Sequence, residues 1–300
     1  MSRRRESELA THGFVREEGL HFPLTKRELT AIVAAALLED DTRHDITTAA
    51  TVTSNRRARC NVVARQAGVI AGLTLACEAF KQLDPAVTMR IEHPDGTRVE
   101  PQAPVMFLSG HARGLLSAER VALNFVQRLS GIATMTARYV EAVAGTGVHI
   151  LDTRKTTPLL RRLEKYAVRA GGGLNHRMDL SSAVLIKDNH LAALDGDIGL
   201  AVSRARAVAP LGIKVEVECD TLDQVRAAID AGADVIMLDN MQLAELRQAV
   251  QLVDGQAVTE ASGGVTLDTV RPIAETGVDW ISVGALTHSA PALDLALDFD

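Results

Sequence analysis

The feature that most constrains this chain is a recurrence in its second half. Apolar runs begin near Ile213, Val235, Ala257 and Trp280, so successive starts lie 22, 22 and 23 residues apart. Segments of helical periodicity, 222–231 and 243–253, fill the intervals. A repeat of this length holds one short strand and one return helix, and such βα units lay their strands parallel in a single sheet. Two earlier apolar runs, near Gly147 and Ala183, extend the series.

A sheet of this kind is either open and doubly wound or curled into a barrel, and the strand ends separate the two. They carry Arg154 and Lys155, Lys187 and Asp188, Glu216 and Glu218, Asp239 and Asn240, Ser262 with Gly263 and Gly264, and then Gly284. An open sheet concentrates its site at one switch point, whereas a barrel draws polar groups from the ends of several strands. The spread favours a barrel or partial barrel, and the glycine-rich fingerprint of dinucleotide binding is absent.

The first half has a different rhythm. Thr25-Lys26-Arg27-Glu28 forms a capping box ahead of apolar residues at helical spacing, which predicts a helix to about Leu38. Short β-like runs at 61–64, 87–91 and 104–108 follow, separated by Gly, Pro and Asp turns, so this half reads as a small α+β domain. Two helical stretches, about 117–129 and 132–143, lead into the repeats, and the polar residues before 25 are expected to fray.

Composition limits the partners. Thirty-two Lys and Arg against thirty-eight Asp and Glu leave a net charge of -6, which argues against broad attraction to nucleic acid or anionic lipid. Aromatics at 3% leave little surface for stacking single-stranded bases. Any anion site must therefore be local. No apolar run is long enough to cross a bilayer, and the arginine-rich start has no hydrophobic stretch behind it, so a cytoplasmic location is expected. Cys60, Cys77 and Cys219 are widely spaced and form no CxxC pair, and are expected to be small core residues rather than disulfide or zinc ligands.

Against that acidic background the cations at the strand ends stand out. Arg154, Lys155, His176, Arg177 and Lys187 fall at consecutive loop positions, and a closed barrel would bring them to one mouth. Arg offers carboxylates and phosphates a planar fork while Lys acts as a point charge, so a ligand with several anionic groups suits them. In KVEVECD, alternation puts Glu216 and Glu218 on one face, and Asp239 ends the next strand. Two carboxylates there could hold Mg²⁺ through water or stabilise a developing carbocation, or simply neutralise the cations. The glycines of ASGGV and ISVGALTHS sit where the last two strands of a barrel commonly cradle phosphate. Two other classes fit the same residues: a Schiff-base aldolase using Lys187 or Lys155, and a non-catalytic anion binder.

The runs DTRKTTP at 152–158, EKYAVRAGGGLNHR at 164–177, LIKDNH at 185–190, VEVE at 215–218, MLDN at 237–240, SGG at 262–264 and ISVGALTHS at 281–289 together resemble the quinolinate phosphoribosyltransferase family. The resemblance covers nearly the whole chain, from EDDTRHDITT at 39–48 to the last strand. It implies an N-terminal α/β sandwich over 25–128, joined by the tail 287–300, and an open, incomplete α/β barrel over 129–286. It also implies a Mg²⁺-dependent joining of quinolinate to phosphoribosyl pyrophosphate, with release of pyrophosphate and CO2, in a homodimer whose sites are completed by the partner. By matching motif, Thr153, Arg154, Lys155, His176, Arg177 and Lys187 would hold substrate anions and Arg120 would reach quinolinate from the partner. Ser262, Gly263, Gly264, Val283 and Gly284 would cradle the ribose phosphate. Lys155, Lys187, Glu218 and Asp239 would serve catalysis, with Glu218 and Asp239 also facing the metal. A paralogue of the same fold is distinguished by lacking the complete LIKDNH run. The chain departs from the family pattern at His44 and Leu159, where glycine is usual, and at Ser181 and Ser182, which replace Tyr-Asp.

Overall fold

A computed structural model describes residues 19–300. The expected frayed segment 1–24 falls, over 1–18, outside the described residues. Its last residues are anchored: Phe22 meets the Tyr166 ring edge-on with centroids 5.5 Å apart, and Pro23 accepts a hydrogen bond from Arg162 through its carbonyl.

The described chain falls into two compact units. One comprises Leu20–Ala137, Thr157–Gly172 and Ser289–Asp300. Its helix Lys26–Glu39 begins where the sequence places it: Thr25 Oγ1 accepts from the Glu28 N–H, and the Glu28 carboxylate accepts from the Thr25 N–H in return. Such a cap contributes on the order of 1 kcal/mol. The strands β1 (Arg57–Ala64), β2 (Gly68–Val69), β3 (Thr88–Ile91), β4 (Arg98–Val99) and β5 (Pro104–His111) are joined by turns and, between β2 and β3, by the helix Leu73–Leu83. The C-terminal strand Leu295–Phe299 lies antiparallel to β1, and the four-stranded sheet runs C-terminal strand, β1, β5, β3.

The two helices expected at about 117–129 and 132–143 are one continuous helix, Ala112–Ala142. The sequence suggests a break at Ser130-Gly131, but this glycine serves close approach rather than termination. A Cβ added at Gly131 would lie 2.0 Å from the Pro291 carbonyl oxygen, so its bare Cα lets the C-terminal segment pack against the helix. The first unit therefore runs to Ala137, beyond the boundary expected after 128, and it takes in the helix Arg161–Ala170 as well.

The second unit, Arg138–Thr156 with Gly173–His288, holds the repeats. Its strands are β6 (His149–Leu151), β7 (Val184–Ile186), β8 (Val215–Cys219), β9 (Val235–Asp239), β10 (Val258–Ser262) and β11 (Trp280–Ser282). They form one parallel six-stranded sheet in the order β6, β11, β10, β9, β8, β7, with β6 and β7 as its outer members. This is a mixed α/β fold with an open barrel. Leu151, Val235 and Trp280 are buried together, with Leu174 and Val258 packed against them. No helix among the described residues is long and apolar enough to cross a membrane.

Candidate active site

The cationic loop after β6 is built by its own backbone and by Asp152. That carboxylate is fully buried and accepts from the His176 backbone N–H at 2.9 Å and from Asn175 Nδ2 at 2.6 Å, so it fastens the 174–176 segment to the end of β6. Leu151 and Leu174 are bridged in parallel beside it. Thr153 Oγ1 then accepts from the Lys155 N–H at 3.0 Å, the Thr156 N–H donates to Arg154 O at 3.0 Å, and Thr287 Oγ1 donates to Lys155 O at 2.7 Å. The exposed Lys155 and half-buried Arg154 are thus displayed from a fixed turn. The Arg154 Nε is buried and has no hydrogen-bonding partner among the described residues. A donor left in that state invites an acceptor from a ligand.

Arg177 lies close enough to Arg154 for the two charges to oppose each other. Burial and that neighbouring cation pull its guanidinium below the ordinary arginine value, while Glu216 and Asp179 act the other way. Its Nη1 donates to Ala183 O at 3.0 Å. The following turn is tied by Asp179, which accepts from the N–H of Ser181 and from the hydroxyls of Ser181 and Ser182, and these bonds hold its carboxyl down at about 2. The two serines that replace the usual Tyr-Asp therefore have a local task. Lys187 leaves β7 with its ammonium paired to Glu218, and His190 Nδ1 accepts from the Lys187 backbone N–H at 2.9 Å, which sets the turn into the helix Asp188–Ala192.

The carboxylates follow the strand pleat. Glu216 is 1% exposed, whereas Glu218, one pleat nearer the strand end, is half-buried and reaches Lys187. Asp239, at the end of β9, accepts from Asn240 Nδ2 at 2.6 Å. Glu218 and Asp239 present hard oxygen donors from adjacent strands, and one or two carboxylates completed by substrate phosphates are how proteins hold Mg²⁺, so the donor set fits that ion.

After β10 the chain turns through Ser262, Gly263 and Gly264. Gly263 has φ +94° and Gly264 φ +59°, and a Cβ at Gly263 would lie 2.1 Å from Asn240 Oδ1, so only glycine fits there. The N–H groups of Gly263 and Gly264 have no acceptor among the described residues. By contrast the Val283 N–H is taken by Leu151 O at 2.9 Å, which leaves Val283 as a buried support for the turn at Gly284. A Cβ at Gly284 would stand 3.1 Å from Lys155 Cδ, so this turn closes on the cationic loop. Arg120 lies in the other unit, exposed on the helix Ala112–Ala142.

Two residues that sequence reasoning passed over complete the barrel interior. One is Asp152. The other is Glu260, wholly buried on β10, whose alternation with Ser262 in VTEAS is the signal that would have found it.

A parallel open barrel whose strand ends carry two arginines, two lysines, two carboxylates and a glycine turn defines an enzyme class that handles polyanionic substrates. Two family profiles match the chain: quinolinate phosphoribosyl transferase, N-terminal domain, over residues 45–130, and quinolinate phosphoribosyl transferase, C-terminal domain, over residues 132–298. The probable nicotinate-nucleotide pyrophosphorylase [carboxylating] of Bacillus subtilis is 44% identical over 271 residues, 90% of this chain and 93% of that protein. The nicotinate-nucleotide pyrophosphorylase [carboxylating] of Mycobacterium leprae is 46% identical over 270 residues, 87% of this chain and 94% of that protein. Among solved structures, the nicotinate-nucleotide pyrophosphorylase of Francisella tularensis superposes with a TM-score of 0.87 at 37% identity, over 93% of this chain and 99% of that one. This chain belongs to the quinolinate phosphoribosyltransferase family.

Proposed function

We propose that this protein transfers the phosphoribosyl group of phosphoribosyl pyrophosphate to quinolinate, with decarboxylation, to yield nicotinate mononucleotide, pyrophosphate and CO2 for NAD biosynthesis. The observation that carries the reading is the buried Nε of Arg154, without a hydrogen-bonding partner among the described residues, close to the Arg177 charge and next to Lys155, in a chain of this family whose overall charge is negative. Quinolinate brings two carboxylates, and its co-substrate brings a phosphate and a pyrophosphate. A dense local cluster of cations is what such a pair of ligands requires.

Arg154 and Arg177 read the quinolinate carboxylates, and Thr153 holds the turn that presents Arg154. Lys155, exposed on its turn, faces the pyrophosphate. Ser262, Gly263, Gly264 and the turn at Gly284 offer N–H groups to the ribose phosphate. In the transfer, the pyridine nitrogen lone pair forms the bond to the anomeric carbon as the bond from that carbon to pyrophosphate breaks. Positive charge grows on the ribose meanwhile, and Glu218 and Asp239 oppose it from adjacent strands. Lys187, paired with Glu218, keeps that carboxylate oriented. Glu218 and Asp239 would also hold Mg²⁺, which when bound supplies charge neutralisation for the leaving pyrophosphate. Once the ring nitrogen is quaternised, the electrons of the adjacent carbon–carboxylate bond flow toward it as CO2 departs, and the carbanion takes a proton from solvent. The Lys187–Glu218 ion pair also disfavours the Schiff-base reading, because it uses the ammonium electrostatically.

The protein acts as a cytoplasmic homodimer, with Arg120 of one subunit reaching the quinolinate of the other. The test is product formation with quinolinate, phosphoribosyl pyrophosphate and Mg²⁺, beside nicotinate and metal-free controls. Nicotinate mononucleotide and CO2 are expected only with quinolinate and metal. Lys155→Ala is expected to lower turnover roughly 100-fold or more, as loss of one transition-state charge partner does. A folded dimer that consumes no quinolinate would overturn the reading.

A further inference from the structure

Beneath the strand ends, three buried residues meet that the reaction steps above do not use. His176 Nε2 lies 3.1 and 3.4 Å from the two Glu216 oxygens and 3.6 Å from Glu260 Oε1. Only the longer Glu216 contact has hydrogen-bonding angles, so the ring edge points between the two oxygens. One ligand atom from each of the three residues falls within 4.8 Å of the others, which is the spacing of a metal centre.

The ring itself selects a different occupant. The backbone N–H of Arg177 donates to His176 Nδ1 at 2.8 Å. An amide N–H only donates, so Nδ1 presents its lone pair, and the single hydrogen of the neutral imidazole sits on Nε2, facing Glu216. A cation at Nε2 would have to displace that hydrogen. Moving it to Nδ1 would set it against the Arg177 N–H, so this tautomer excludes the metal and satisfies the carboxylates with a proton instead.

We infer that Glu216 and Glu260 are positioning residues, which lock His176 as the Nε2–H tautomer so that its Nδ1 holds the Arg177 backbone and aims the guanidinium at a substrate carboxylate. The inference rests on the reading of the site as one for quinolinate. The Glu216 charge beside Nε2–H polarises the ring and makes Nδ1 the stronger acceptor. The same carboxylate attracts the Arg177 side chain, so the residue is held at both ends.

Glu260 closes the cluster from β10. Neither of its oxygens has a hydrogen-bonding partner among the described residues. Burial first, then the Glu216 charge, raises its carboxyl well above the ordinary range. While it holds its proton, this acid supplies shape and an O–H without adding a second buried charge beneath the anion site.

The deciding measurement is the ¹⁵N spectrum of the His176 ring in the intact protein, assigned by its loss in His176→Asn, with and without quinolinate. It is combined with steady-state kinetics of Glu216→Gln and Glu260→Gln. We expect one pyrrole-like signal from Nε2 and one pyridine-like signal from Nδ1, both unmoved by quinolinate. In Glu216→Gln the KM for quinolinate is expected to rise roughly tenfold or more, with kcat and the KM for phosphoribosyl pyrophosphate changed far less. A doubly protonated ring, ring signals that move on adding quinolinate, or a Zn²⁺ ion bound at one per chain with loss of the Nε2 hydrogen would each overturn the inference. So would an unchanged KM in both folded variants. The ring spectrum is read on the free protein, so it decides the linkage from Glu216 through His176 to Arg177 separately from whether quinolinate is the substrate.

Discussion

Leu159 stands at φ +67° with its side chain 99% exposed. A leucine in the left-handed region carries about 1–2 kcal/mol of strain, and with no packing to offset it the family's usual glycine is the natural residue there. Leu159→Gly is therefore expected to stabilise the protein by roughly 0.5–1 kcal/mol after the entropy of the more flexible unfolded chain is counted, seen as a higher urea midpoint. An unchanged or lower midpoint would mean that the side chain has a partner. His44, the other departure from glycine, is not among the residues of positive φ and bonds Asp41 through Nδ1 at 2.7 Å, so it carries no such strain. Glu260 gives a prediction in pH. Its carboxyl rises from the ordinary 4.5 to about 7, so between those values the folded state holds a proton that the unfolded state has released. Stability from this residue is intact below that window and is lost as pH climbs through it. Glu260→Gln should match the wild type near pH 5 and exceed it by ~2–3 kcal/mol at pH 8 in urea titrations. Alternation along VTEAS already puts Glu260 on the Ser262 face, but its nearness to Glu216, two strands away in the sheet, depends on β9 lying between them.

At the scale of elements, the parallel strands were legible because each begins as an apolar run and ends at a polar or glycine residue. β9 and β11 start at Val235 and Trp280, where the sequence places them. The long helix was not legible, because Ser130-Gly131 carries the same local signal whether it ends a helix or admits a neighbour. Gly131→Ala separates the two roles. A helix-interior Gly→Ala change ordinarily stabilises by up to about 1 kcal/mol. Here the added Cβ would strike backbone at 2.0 Å, so a loss of about 3 kcal/mol is expected, read as a lower urea midpoint. Stabilisation instead would show that the C-terminal segment gives way freely. The helix Arg161–Ala170 shows the same limit of local pattern. Its Glu164 is fully buried and accepts from the Thr157 N–H at 3.0 Å, from Thr157 Oγ1 at 2.8 Å and from Arg128 at 2.9 Å. Nothing in the helical periodicity marks this acid as an interior one.

For the whole molecule, the proposed shared sites predict complementation. Arg120→Ala and Lys155→Ala chains, each nearly inactive alone, would form mixed dimers in which one site receives a native Arg120 and a native Lys155. Random reassortment should restore about a quarter of wild-type activity, and no recovery after verified subunit exchange would place Arg120 outside the partner's site. At this scale the sequence alone determined the βα repeat, the polar strand ends, the local confinement of positive charge and the family, because strand period, helix spacing and motif order are properties of neighbours along the chain. The tertiary structure alone decided that His176 has both ring nitrogens engaged, that Glu216 and Glu260 meet beneath it, that Asp152 ties β6 to the 174–176 segment, and that the C-terminal strand returns to β1. Apart from the bond between the neighbours His176 and Arg177, each of these pairs residues far apart in sequence, and burial converts such a pairing into a tautomer, a raised carboxyl or a satisfied backbone only once the sheet order has brought the partners within hydrogen-bonding reach.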